Sequence, residues 1–302
     1  MSAIVRSVQA VDLAVTDLAE ARQFFEQTWH LEQVAEVDGR VYFRATQGYF
    51  HVLSVRQAER SGLVRIQLEA HTREAVDLAH ERVVAYGRPV DGAPRPLASP
   101  GGGYGFGFVD PEGRNFRLVH GMERREDRGQ VADRPTKISH VNMNCRDNDA
   151  SFRFFTEVLA FTLSDQTRQM RFIRCNSDHH SLVLGFSDNA FLNHIAFEMP
   201  ETESLMRGIG RMRDHGHPVE WGPGRHGPGN NVFAYFCGPG ELPLEYTSEM
   251  TQMADGYHMR KPEEWRWPPG RLDHWGLTPG PSERVKKAQS FFPFIEGGHR
   301  ID

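Results

Sequence analysis

Three residues in the second half of the chain are of types that hold a divalent metal: His140 in "KISHVNM", His194 in "FLNHIAFEM" and Glu245 in "LPLEYTS". Two imidazoles and one carboxylate, with coordination positions left open, are the donor set of non-haem Fe(II) sites. Each residue sits in a short apolar run that reads as a strand. Glu245 is the most demanding of the three. A carboxylate in a half-buried apolar strand is costly unless something pairs with it, and a cation shared with the two histidines would be that partner. Three further residues bring acid–base chemistry: His180 in "SDHHSLVLGF", His226 in "GPGRHGPG" and Tyr235 in "VFAYF". Imidazole and phenol groups beside a metal move protons and stabilise an oxyanion. Singly, each has a plainer reading. A lone strand histidine is usually a satisfied core residue, Tyr235 reads as a core aromatic, and His226 as an exposed loop residue. The set is what points to chemistry.

The elements that carry these residues repeat. Segments starting near residues 10 and 140 both run from an apolar strand through a turn at Asp into an amphipathic helix with a Phe-Phe pair. The pairs, Phe24-Phe25 and Phe154-Phe155, are offset by 130 positions. Residues 64–90 then match 193–219, and 108–120 match 236–248. Each half therefore holds two strand–helix–strands modules, an α+β arrangement of two tandem domains. Carried across the repeat, His140 falls on Ala10, His194 on Arg65 and Glu245 on Arg117. The first half has the scaffold without the donors, so folding of the module does not require them. The expected division is a metal-free domain over 1–122, a charged linker over 123–136, a metal-binding domain over 137–250 and a tail over 251–302. Three of the five Trp, namely Trp265, Trp267 and Trp275, lie in that tail. It is expected to pack on the metal-binding domain, because Trp seldom stays in water.

With 302 residues, 39% hydrophobic, 25% charged and a net charge of -5, the chain has the composition of a soluble globular protein. It offers no electrostatic reason to bind nucleic acid or an anionic membrane. No run has the length of a membrane span, and the N-terminal residues do not read as a signal peptide. Three cysteines without a CxxC pair suit a reducing cytoplasm.

The run "GRH…AYFCGPGELPLE" places Tyr235 nine residues after His226 and ten before Glu245. On this spacing and the histidines above, the chain resembles the type I extradiol (ring-cleaving) catechol dioxygenases of the vicinal oxygen chelate superfamily. The resemblance covers nearly the whole chain. It implies a glyoxalase-like fold in which each module is βαβββ. It also implies that His140, His194 and Glu245 bind Fe(II), with Mn(II) as the other candidate. His180 takes the acid/base position, with His179 as its rival in the doublet. His226 and Tyr235 take positions that hydrogen-bond substrate. Asn142, two residues beyond His140 on the same strand face, and Phe172, as a ring-packing wall, are the substrate-binding candidates. The implied activity inserts both atoms of O2 into a catecholic diol, substituted or biaryl, in aromatic-compound degradation, by a homo-oligomer. The alternatives are a dioxygenase for aminophenols or hydroquinones, a non-catalytic binder of aromatic ligands, and a glyoxalase-type lyase or isomerase. The last usually draws ligands from two domains, which Ala10, Arg65 and Arg117 disfavour. The chain departs from the family pattern at Ala234, in the loop "HGPGNN", at Gly238-Pro239-Gly240-Glu241, and at Pro243, which predicts an edge or irregular strand for Glu245.

Overall fold

The computed structural model describes residues 3–300. The first half contains β1 (Val5–Val15), α1 (Leu18–Gln23), β2 (Glu32–Val37), β3 (Arg40–Arg44), β4 (Leu53–Gln57), β5 (Gly62–Ala70), α2 (Arg73–Ala85), β6 (Arg95–Pro96), β7 (Tyr104–Val109) and β8 (Asn115–His120). The second contains β9 (Lys137–Cys145), α3 (Asn148–Arg153), β10 (Thr162–Gln166), β11 (Met170–Arg174), β12 (Leu182–Phe186), β13 (Leu192–Glu198), α4 (Thr202–Asp214), β14 (Trp221–Arg225), β15 (Val232–Cys237) and β16 (Pro243–Ser248). The two sheets have the same order, β2-β3-β4-β1-β5-β8-β7-β6 and β10-β11-β12-β9-β13-β16-β15-β14. In each, an antiparallel pair of central strands joins the two modules, and each central strand has a parallel neighbour on its other side. The repeat read from the sequence is thus a repeat of βαβββ modules.

The first helix of each half is shorter than its sequence pattern predicts. Asp17 and Asp147 cap α1 and α3 by accepting from the amides of Glu20 at 2.9 Å and Ala150 at 2.8 Å. Each helix then widens into a π turn, Phe24–Thr28 and Phe154–Val158, which carries the Phe-Phe pair. The wider turn lets adjacent Phe side chains both point inward, and all four are buried. Each such burial contributes roughly 2 kcal/mol.

Pro243 does not make an edge strand. It is the first residue of β16, where no ladder donor is lost, and β16 lies between β13 and β15. Every residue of β16 is buried, so Glu245 stands in a fully buried strand rather than a half-buried one.

The tail also departs from expectation. Its helix α5 (Glu283–Phe291) packs against β13 and β15 of the second half. The chain then crosses to the first half, where Leu63 N–H donates to Pro293 O at 2.9 Å and Ile295 N–H to Leu63 O at 2.8 Å. Gly298 is required there, since a Cβ would lie 2.3 Å from Val64 O. Trp267 is 41% exposed, against the expectation that the tail indoles pack away from water. Its ring lies over Gly227 in the loop after His226, where a Cβ would come within 2.6 Å of the indole. Between the halves, Trp29 stacks on Tyr246 at 3.8 Å between centroids, and the Tyr246 hydroxyl donates to Trp29 O at 3.2 Å.

Candidate metal centre

His140, His194 and Glu245 come from three adjacent strands, β9, β13 and β16. Ala196 is the register partner of both His140 and Glu245. Its small side chain leaves room between them, and His194, two residues earlier, shares its face. All three are buried, and one donor atom from each lies within 4.8 Å of the others. His140 Nε2 is 3.2 Å from His194 Nε2, and Glu245 Oε2 is 3.0 Å from His194 Nε2 and 3.5 Å from His140 Nε2. Among the described residues this is the only such cluster of metal-binding types.

Neighbouring hydrogen bonds decide which atoms face one another. His194 Nδ1 lies 2.8 Å from Asn193 Oδ1. The Asn193 amide is oriented because its Nδ2 donates to Asn144 Oδ1 at 3.1 Å. Asn144 is itself fixed by donating to Gln289 O of α5 at 2.8 Å. His194 is therefore protonated on Nδ1, and its Nε2 presents a lone pair. His140 Nδ1 lies 3.2 Å from Ser139 Oγ, which leaves its Nε2 facing the cluster. Glu245 Oε1 accepts from Asn231 Nδ2 at 3.3 Å, while Oε2 has no hydrogen-bond donor. A carboxylate so fully buried stays ionised only with positive charge beside it. Burial likewise pushes His194 down, partly opposed by Glu245, which favours neutral imidazole. Two lone-pair nitrogens and an ionised oxygen converging without a proton between them repel one another. A divalent cation relieves that repulsion, so the donor set fits such an ion.

A cavity of about 190 Å³ opens beside this cluster. His140, Asn142, Phe172, His180, His194, His226 and Tyr235 all line it, so seven of the eight candidates meet there; Glu245 lies behind them, fully buried. The His180 ring is 4.3 Å from that of His140 and 5.2 Å from that of Phe172. Tyr235 Oη lies 3.1 Å from His226 Nε2. Burial holds His226 down at about 4 and drives His180 well below its ordinary value, so both are neutral. Burial, then Glu245, raises Tyr235 well above the usual phenol range. A larger open groove of about 560 Å³ runs beside α5, lined by residues such as Ser61, Glu241 and Phe292, but no metal-binding cluster faces it.

Further residues stand in and behind the site. His179, the rival to His180, does not line the cavity; its Nδ1 lies 2.9 Å from His180 Nδ1 and its Nε2 2.8 Å from Asp165 Oδ2. Asp165 also accepts from the Tyr257 hydroxyl and the Arg260 amide, each at 2.7 Å. Asn193 and Asn231 orient ligand-type side chains, and Trp267 and Leu272 of the tail stand at the cavity wall. The sequence signals for these residues were the His-His doublet, the Asn beside His194 and the Trp-bearing tail.

In the first half, the strands corresponding to β9 and β13 hold a buried ion pair instead. Arg65 Nη2 and Nε lie 2.6 Å and 2.8 Å from Asp12 Oδ2, and Ser54 Oγ donates to Asp12 Oδ1 at 2.6 Å.

Paired βαβββ modules around a buried two-histidine, one-carboxylate cluster define a glyoxalase-like, vicinal oxygen chelate fold with a candidate metal site. The chain belongs to the Glyoxalase/Bleomycin resistance protein/Dioxygenase superfamily, whose model matches residues 7–118 and 137–246. It is similar to a solved Mn(II)-bound glyoxalase from Novosphingobium aromaticivorans, at 34% identity and a TM-score of 0.87, covering 98% of this chain and 97% of that one. It is 27% identical to metapyrocatechase 2 of Cupriavidus necator over 47% of this chain and 45% of that protein. It is 26% identical to an iron-dependent extradiol dioxygenase of Rhodococcus jostii over 49% of this chain and 57% of that protein. The matches thus span about half the length of these two relatives. The resemblance to extradiol dioxygenases drawn from the residues agrees with the names of the two curated relatives, metapyrocatechase 2 and the iron-dependent extradiol dioxygenase.

Proposed function

We propose that this protein is an extradiol dioxygenase that opens the ring of an aromatic 1,2-diol beside its hydroxyls, adding both atoms of O2. The observation that carries this reading is the convergence of His140, His194 and Glu245 at the floor of a ring-sized cavity whose wall holds His180, His226 and Tyr235. His140, His194 and Glu245 would hold Fe(II), or Mn(II) in its place; one relative is named iron-dependent and one similar structure Mn(II)-bound. Held there, such a metal would supply Lewis acidity and one-electron chemistry.

The remaining work falls to side chains. His180, neutral through burial, accepts a diol proton and returns it as the ring opens. Tyr235 keeps its phenol proton and steadies charge on a substrate oxygen, with His226 holding its hydroxyl. Phe172 packs on the ring, and Asn142 offers its Oδ1, which is buried without a donor. Three unpaired cysteines support a cytoplasmic enzyme, and the family resemblance supports a homo-oligomer. Among the described residues no helix is long and apolar enough to cross a membrane.

A glyoxalase-type reaction is the second reading, favoured by the name of the Novosphingobium structure. The Asp12–Arg65 ion pair in the corresponding place of the first half speaks against ligands drawn from both domains. The deciding experiment reconstitutes anaerobically purified protein with Fe(II) or Mn(II). Oxygen uptake and near-UV/visible absorbance are then followed with catechols, aminophenols and hydroquinones, with Glu245→Ala as control. Oxygen consumption matched by a yellow product, lost in the control, supports ring cleavage. Isomerisation of a thiol–aldehyde adduct without oxygen uptake would replace it, and a protein that binds no metal would refute both.

A further inference from the structure

The wall of the 190 Å³ cavity carries no lysine, arginine, aspartate or glutamate among the described residues. Its polar groups beyond the histidines and Tyr235 include the amides of Asn142, Asn193, Gln169 and Gln289 and the hydroxyl of Thr167. Several charges on neighbouring residues have partners elsewhere. Arg171 lies 2.6 Å from Asp149, Arg225 2.6 Å from Glu249, and Asp165 accepts from Tyr257 at 2.7 Å behind His179. Asp273 accepts from the amides of Trp275 and Gly276, each at 2.8 Å. An anionic ring substituent held away from the metal position would shed water and meet no counter-charge from the wall, which costs several kcal/mol.

The size of the cavity adds a second restriction. A cavity of about 150 Å³ holds one benzene ring. A space of about 190 Å³ takes one ring with a small substituent. Trp267 and Leu272 stand on the wall that a second ring would press against. Trp267 is seated on Gly227, with no space between them for a side chain at that glycine.

Resting on the ring-cleavage reading, we propose that the substrate is an uncharged, single-ring 1,2-diol with at most a small substituent. The absence of a cation in the wall excludes carboxylated diols, and Trp267 and Leu272 set the length limit.

The test measures kcat/KM on the metal-loaded protein, and anaerobic binding by difference spectra, for four diols: catechol, 4-methylcatechol, 3,4-dihydroxyphenylacetate and 2,3-dihydroxybiphenyl. The neutral single-ring diols should exceed the carboxylated one by about 100-fold or more in both readouts. They should exceed the biaryl by about 10-fold, and Trp267→Ala should narrow that second gap without touching the first. Gln289→Arg should raise the carboxylated diol relative to 4-methylcatechol. A wild-type preference for the carboxylated or biaryl diol would overturn the proposal while leaving ring cleavage intact. If no diol turned over or bound in protein carrying stoichiometric iron, the ring-cleavage reading would fall and this one with it.

Discussion

His179 Nδ1 lies 2.9 Å from His180 Nδ1, deep in the protein, and the far nitrogen of His179 lies 2.8 Å from Asp165. Asp165 accepts the Nε2 proton of His179, so His179 Nδ1 is left to accept from His180 Nδ1–H. His180 is thereby held in the tautomer whose Nε2 can take a proton. Asp165→Asn or His179→Phe should lower kcat about 10- to 100-fold, by analogy with outer hydrogen-bond partners of reactive histidines. KM and bound iron should change little. Steady-state kinetics with iron analysis checks this, and an unchanged kcat in both variants would refute it.

Asn193 holds the lone pair of His194 toward the cluster by taking its Nδ1 proton. Asn193→Leu should weaken metal affinity about 10- to 100-fold, with little change in the folded structure. Glu245→Gln removes the ionised donor itself and should abolish stoichiometric binding. Chelator competition monitored by metal analysis distinguishes the two effects; equal retention of metal in Glu245→Gln would contradict the assignment of the donors.

Asp12 and Arg65 form a buried pair with only 6% and 2% of their side chains exposed. Asp12→Ala leaves the guanidinium without its counter-charge and should cost about 3–5 kcal/mol. Asp12→Leu combined with Arg65→Met should recover much of that loss. Neither change should alter metal content, because the pair lies in the other half. Urea unfolding with metal analysis tests both statements.

His51 occupies, in the first half, the place His180 takes in the second, just before β4. Burial lowers it to about 4, only partly opposed by Asp12. Its unfolded value is near 6.5, so the unfolded chain takes up a proton that the folded chain refuses. The contribution is complete above about pH 6.5 and is lost progressively as pH falls toward about 4, a drop of about 3 kcal/mol. Denaturation midpoints at fixed metal should show this slope in the wild type and a flatter one in His51→Gln.

The repeat, the donor types and the spacing of His226, Tyr235 and Glu245 were legible in the sequence. Period-two strands put alternate residues on one face, and an internal copy with Ala10, Arg65 and Arg117 marks where the donors are optional. The π turns under Phe24 and Phe154 were not legible, because a one-residue widening leaves the apolar pattern unchanged. Pro243 misled for a related reason: the cost of its missing N–H depends on its place within the strand.

The sequence by itself determined which side chains could bind a metal and on which strands they stand. Only the tertiary structure decided the rest: that Nε2 of His140 and His194 face Glu245, that α5 orients His194 through Asn144 and Asn193, and that His179 is sealed behind His180 by Asp165. These depend on contacts between segments up to 145 residues apart. No local pattern carries such information, because a hydrogen bond between distant residues is set by packing and leaves no periodicity in the chain.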